Sequence, residues 1–251
     1  MIRFLTSDPI GTYRSEKPPV HKGFNPANGL VRELKKHWKE EARCLLVSAF
    51  PEEHERNDRM RKDFETILRD TGLPFSCMDL CDALNGEEKA AALPGYDFVI
   101  LGGGHVPTQN AFFHRIGLAE RFRGFSGIAM GISAGTMNCA REVYAQPEMP
   151  GEASDPAYRR FLPGLGLTEY RILPHYNAVK DDLVDGLRLM EDITYPDSAG
   201  RTFYALTDGS YLFETEEEAQ IRGLAYRIRD GGFAQVCEDG GVYPLRRKGR
   251  T

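Results

Sequence analysis

Five short apolar runs, Ile2–Thr6, Cys44–Phe50, Phe75–Leu80, Phe98–Leu101 and Gly127–Met130, alternate with helical patterns through the first half of the chain. Gly29–Glu41 carries Leu30, Leu34 and Trp38 near the helical period, and Asn57–Asp70 carries Met60, Phe64, Ile67 and Leu68. Gly72 and Pro74 punctuate the second of these. Strands that alternate with helices in this way build βαβ units, so the expected fold class is α/β: a three-layer sandwich with a mostly parallel central sheet covered on both faces. Ligands of such sheets bind beyond the carboxyl ends of the strands.

At 251 residues the chain fits a single α/β domain over 1–251, and its 41% hydrophobic and 27% charged residues are ordinary globular usage. A net charge of −5 offers no general footprint for nucleic acid, and the basic cluster at Arg246, Arg247, Lys248 and Arg250 reads as a solvated tail. Asp8 and Pro9 interrupt the first apolar run, and no segment approaches the length of a membrane span. The expectation is a soluble, cytoplasmic protein with no membrane partner. Five scattered cysteines fit reduced thiols. Cys77 and Cys81 have no His or Cys at ligand spacing, so neither a metal nor a cofactor is expected.

Beyond Pro163 the character changes. Tyr170–Leu173 is strand-like and Asp181–Asp192 helix-like, and from about residue 202 short strands follow at Thr202–Leu206, Tyr211–Glu214, Gly223–Ile228 and Val242–Leu245. Asp208-Gly209, Asp230-Gly231-Gly232 and Asp239-Gly240-Gly241 are turn signals between them, as in closing hairpins. Gln146–Tyr158, rich in Pro, Glu and Asp, reads as a long loop.

The chemistry concentrates at strand ends. Gly131-Ile132-Ser133-Ala134-Gly135 follows the fifth apolar run directly, and a tight strand-to-helix turn there would lift Ser133 out of the sheet. The free N–H groups of the following helix would stabilise an anion developing on a substrate carbonyl. A serine hydroxyl needs a base. His21, His37 and His54 lie among charged residues, and His114 sits on the helix after the triple glycine Gly102–Gly104. His105 follows that triple glycine, to face a pocket or to make a tautomer-dependent backbone contact. His175, in Leu173-Pro174-His175-Tyr176-Asn177, stands where Pro174 ends strand pairing, as a base or as a packed histidine.

Taken together, the triple-glycine loop after the fourth strand, the strand running into Gly-x-Ser-Ala-Gly, and the Pro-His-aromatic further on resemble the S51 serine peptidases. That resemblance implies the class I glutamine amidotransferase-like, flavodoxin-like variant of the fold. It implies Ser133 as nucleophile and His175 as base. It places the orienting acid at Glu148, in Pro147-Glu148-Met149-Pro150, with Glu142 and Glu152 as rivals. Backbone N–H groups of Gly103, Gly104 and Ala134 would form the oxyanion hole.

The segment Gly104-His105-Val106-Pro107-Thr108-Gln109-Asn110 departs from the family's usual Gly-Gly-Asn-Thr. His105, Gln109 and Asn110 are therefore candidate substrate contacts, with helix capping the alternative for the last two. Arg171, Arg141 and Lys180 are candidate partners for a substrate carboxylate. The expected activity is hydrolysis of short, dipeptide-like substrates through an acyl-enzyme, with an acidic N-terminal residue as the family preference. The expected partner is a small peptide, on a monomer or homodimer. Competing readings are a non-catalytic amidotransferase-like module that binds an amino acid or peptide, and an esterase of the α/β-hydrolase type. Amidotransfer would want a cysteine where Ser133 stands.

Overall fold

The computed structural model describes residues 1–13 and 20–246, so the basic cluster beyond Arg246 lies outside the described residues. Five parallel strands, β1 (Ile2–Thr6), β2 (Ala42–Val47), β3 (Phe75–Cys81), β4 (Phe98–Leu101) and β5 (Ile128–Ile132), pair in the spatial order β1-β5-β4-β2-β3. Every residue of β4 and β5 is buried. Alternate side chains of these strands feed two separate cores, as the two-residue period of a strand requires. On one face Leu45, Val47, Val99, Leu101 and Ala129 meet Phe112, Phe113, Leu118 and Phe122. On the other, Cys44, Leu46, Phe98, Ile100 and Met130 meet Leu30, Leu34, Phe64, Ile67 and Leu68.

The helices supply the outer layers. α1 (Leu30–His37) and α2 (His54–Thr71) cover the second face, while α3 (Gly86–Ala91), α4 (Val106–Arg115) and α5 (Leu118–Phe122) cover the first. The result is an α/β molecule with a mostly parallel central sheet between helical layers. Among the described residues no helix is long and apolar enough to cross a membrane, and the five cysteines are free thiols.

The C-terminal strands are not an appended set of hairpins. β6 (Arg171–Leu173), β7 (Thr202–Leu206), β10 (Ala225–Arg229) and β11 (Gly232–Cys237) make a second sheet in the order β6-β7-β10-β11. Between them the chain returns to the main sheet, where β8 (Tyr211–Glu214) pairs antiparallel with β1, and β9 (Ala219–Arg222) and β12 (Val242–Pro244) follow outward. Residues 207–210 thus carry the chain from one sheet to the other.

The helix expected over Asp181–Asp192 is replaced by a small hairpin, Leu183–Val184 against Leu187–Arg188, followed by a π-helical turn over Leu189–Thr194. Asp185 and Gly186 are both left-handed, with φ of 52° and 81°, as a two-residue hairpin turn demands. The Asp-Gly pair outweighed the apolar spacing around it.

The helix after the elbow, α6 (Ala134–Asn138), packs with no room to spare. A Cβ on Gly131 would lie 2.7 Å from Thr136 Cα, and one on Gly135 would overlap the carbonyl of Leu101 and stand 2.9 Å from that of Gly102. Both neighbours are backbone and cannot yield cheaply. Gly135→Ala should therefore destabilise the protein by about 1–3 kcal/mol, seen as a lowered midpoint in urea unfolding. An unchanged midpoint would show that α6 moves freely on the sheet.

Candidate active site

Ser133 stands one residue past β5, at φ 50° and ψ −115°, a conformation that costs a non-glycine residue on the order of 1–3 kcal/mol. The surrounding bonds over-determine it. Its N–H is shared between the carbonyls of Thr6 and Ser7, each at 3.2 Å. The Thr136 hydroxyl donates to the Thr6 carbonyl at 2.8 Å, and the Thr6 hydroxyl donates to the Gly131 carbonyl at 2.7 Å. Small residues at positions 131 and 135 then let the chain turn against β4 and β1.

His175 follows β6 after Pro174 and is itself left-handed, with φ 57° and ψ 27°. Its backbone N–H donates to the Ser7 hydroxyl at 2.7 Å. Ser133 and His175, from different sheets, are thus both anchored on Ser7. Nδ1 of His175 lies 2.6 Å from Oδ1 of Asp208. With that nitrogen donating to a carboxylate, Nε2 is the one left to accept a proton.

The carboxylate expected on His175 at Glu148 is therefore supplied by Asp208. β8 pairs antiparallel with β1, Thr6 opposite Tyr211, and the pairing runs on past the strands. Ser7 N–H donates to the Ser210 carbonyl at 3.2 Å and Gly209 N–H to the Asp8 carbonyl at 3.0 Å. This extension lays Asp208 over the end of β1. The sequence offered Asp208-Gly209 as a turn. The overlooked signal was an aspartate just past a strand's carboxyl end.

The N–H groups of Gly103, Gly104 and Ala134 donate to no carbonyl among the described residues. The glycine loop is wedged against the elbow: a Cβ on Gly103 would lie 3.2 Å from Ser133 Cβ, and one on Gly104 would lie 2.6 Å from Ala49 Cβ. Larger residues would push these donors away from Ser133.

The side chains after the glycines do structural work. Gln109 is buried and donates to the Gly102 carbonyl at 2.7 Å, while Asn110 reaches Asn138 and the Pro163 carbonyl, each at 2.9 Å. Both tie the loop and α6 together, contrary to the expected ligand role. His105 has both ring nitrogens engaged, by Thr108 Oγ1 and Glu152 Oε1, each at 2.7 Å. Arg171 is held by Glu142, which also takes Arg201, so neither the expected cation nor that rival acid is free for the site. Arg141 pairs with Glu169 and Lys180 with Asp181. Cys139 is fully buried, and burial pushes its thiol up, away from nucleophilic use.

The loop over 146–158 is pinned from two sides. Glu152 accepts the N–H groups of Glu148 and Met149 at 2.9 Å as well as His105, and Asp185 accepts those of Gly151, Ala153 and Ser154 at 2.7, 2.9 and 3.1 Å. Glu148 retains solvent exposure, yet desolvation by the surrounding protein raises its pKa, and repulsion from Glu152 adds to this. The charges of His105 and His175 and the N–H of Val106 oppose that rise, which puts its carboxyl near the base. Glu152 goes the other way. Desolvation works against it, but the two backbone N–H groups and His105 hold it below the ordinary value.

A carboxyl depressed on folding stabilises the folded loop fully above its unfolded pKa and releases that stability as pH falls through the folded value. Amide exchange at Glu148 and Met149 should therefore be slow at neutral pH and, corrected for intrinsic rates, accelerate only below about pH 4.5. Uniform protection down to pH 3 would remove Glu152 as the clasp.

The family model described as peptidase family S51 matches residues 28–222. No curated protein matches the chain. Among solved structures, a peptidase from an acI-B1 Actinobacterium is similar over 97% of this chain and 96% of its own, with a TM-score of 0.65 at 14% identity. A protein from Listeria monocytogenes EGD-e assigned to peptidase E is similar over 88% of this chain and 97% of its own, with a TM-score of 0.58 at 16% identity. At such identities the likeness is one of fold.

Proposed function

From the premise that this chain belongs to peptidase family S51, a serine-type peptidase family, we propose that it hydrolyses short peptides through an acyl-enzyme on Ser133. Ser133 Oγ attacks the scissile carbonyl while His175 Nε2 takes its proton, and Asp208 holds the imidazole and stabilises the imidazolium that forms. The N–H groups of Gly103, Gly104 and Ala134 receive the oxyanion. The imidazolium returns the proton to the leaving amine, and the carbonyl reforms as a Ser133 ester. Water, deprotonated by His175, then attacks the ester and the serine leaves with the proton.

The observation that carries this reading is the 2.6 Å contact between His175 Nδ1 and Asp208, at the sheet edge where Ser133 stands half-buried. The chain order also bears on the alternatives. Ser133, His175 and Asp208 run nucleophile, base, acid, whereas α/β-hydrolase esterases run nucleophile, acid, base.

Ser133→Ala should abolish both hydrolysis and labelling by a fluorophosphonate probe, which would also separate the enzyme from a non-catalytic module. Asp208→Asn should lower kcat about a thousand- to ten-thousand-fold with the fold intact by circular dichroism. A full-sized loss from Glu148→Gln and none from Asp208→Asn would return the acid to the 146–158 loop.

For the substrate, the observation is one of charge. Arg171, Arg141 and Lys180 each already hold an acid, while Glu148 enters no ion pair among the described residues. The reading is a peptide whose free N-terminal ammonium approaches Glu148, which does not require an acidic first residue. Alanyl-alanine should be cleaved at least tenfold faster than its N-acetyl form, as loss of a charged hydrogen-bond partner implies. A faster N-acetyl substrate would reject it.

A further inference from the structure

Ser7 lies fully buried at the end of β1 and touches both sides of the dyad. Its hydroxyl donates to Asp208 Oδ1 at 2.7 Å, the same oxygen that His175 Nδ1 reaches at 2.6 Å. The direction of that bond is forced. An ionised carboxylate can only accept, so the hydroxyl spends its single proton on Asp208 while its oxygen accepts the His175 backbone N–H at 2.7 Å. The Ser7 carbonyl, for its part, accepts the Ser133 N–H.

We infer that Ser7 is a positioning residue of the hydrolytic site, setting through its hydroxyl both the placement of Asp208 and the charge that Asp208 presents to His175. The inference rests on the reading of Ser133, His175 and Asp208 as the reacting set. Two consequences follow from the geometry. First, the backbone of His175 is held in its left-handed conformation by a bond to the same atom that orients its carboxylate, so ring and carboxylate are placed together. Second, a second donor on Asp208 Oδ1 draws charge from that oxygen, so the carboxylate stabilises the imidazolium less than it would alone. Ser7 trades some of Asp208's pull on the proton for fixed geometry.

The charged groups bearing on His175 are Asp208, from the loop over 207–210, and Glu148, from the loop over 146–158. A change at Ser7 removes neither carboxylate. The rate at which a fluorophosphonate probe labels Ser133, followed across pH in the full chain, reports on the base without needing the natural substrate. Ser7→Ala should slow labelling about 10- to 100-fold, the scale set by one hydrogen bond to a charged group. It should also move the acid limb of the profile to higher pH, because an undiluted carboxylate holds the imidazolium proton longer. Ser7→Cys, which fills the same space with a weak donor, should behave likewise if alanine leaves the site unfolded.

A role exercised through Asp208 has one further signature. In an Asp208→Asn background the Ser7→Ala change should cost less than a third of what it costs alone, since the two act through one oxygen. A pH limb that stays still or moves down overturns the inference, and so do single losses that multiply in the double variant. Absence of labelling in the unaltered protein would overturn the reading of Ser133, and this role with it. Labelling that is lost in Ser133→Ala yet unchanged in both Ser7 variants would overturn Ser7 alone.

Discussion

The antiparallel pairing of β8 on β1 is the interaction on which the site depends. The parallel strands already gather Ser133, the glycine loop and the end of β1 at one edge, as any sheet of this kind does. Without β8 nothing would bring Asp208 to His175 at that edge. Pairing Thr6 with Tyr211 runs on through Ser7, Ser210, Asp8 and Gly209, and it ends with Asp208 against His175. A strand late in the chain therefore completes a candidate site whose serine, Ser133, comes from the middle of it.

A second constraint is the absence of spare volume around the elbow. Gly131 and Gly135 bring backbone against backbone, and Gly103 presses on Ser133. This close approach keeps the serine in an unfavourable conformation, because every relaxation would separate packed main chain. Strain at Ser133 is offset by bonds from Thr6, Thr136 and the Ser7 carbonyl. The same arrangement leaves the donors of Gly103, Gly104 and Ala134 without a carbonyl partner among the described residues and fixed before any charge develops.

Much of this was legible in the residues. Apolar runs without alternation marked β2, β4 and β5 as strands covered on both faces, and each is buried as expected apart from Arg43 at the start of β2. The elbow serine was readable because glycine spacing and an apolar strand coincide there. Other readings failed for physical reasons. Asp181–Asp192 carries apolar residues near a helical spacing, but Asp185-Gly186 is a left-handed pair and made a hairpin. Gln109 and Asn110 look like ligand groups in a polar loop, yet buried carbonyls and Asn138 needed partners and took them. Arg171 looked available until β6 placed it beside Glu142.

The sequence by itself determined the local parts: which segments become buried strands, where the chain can make a tight glycine turn, and that a serine and a proline-led histidine stand at strand ends. These follow from periodicity and backbone freedom within a few residues. Only the tertiary structure decided which carboxylate lies against His175 Nδ1. Glu148 and Asp208 are both plausible by residue type, one in a long loop and one in a turn after a strand-like run, so their placement turned on strand register between β1 and β8. Register is set by the burial of whole sheet faces and by pairings across some two hundred residues of chain. The local pattern around Asp208, an aspartate just past a strand's end, does not by itself carry that register.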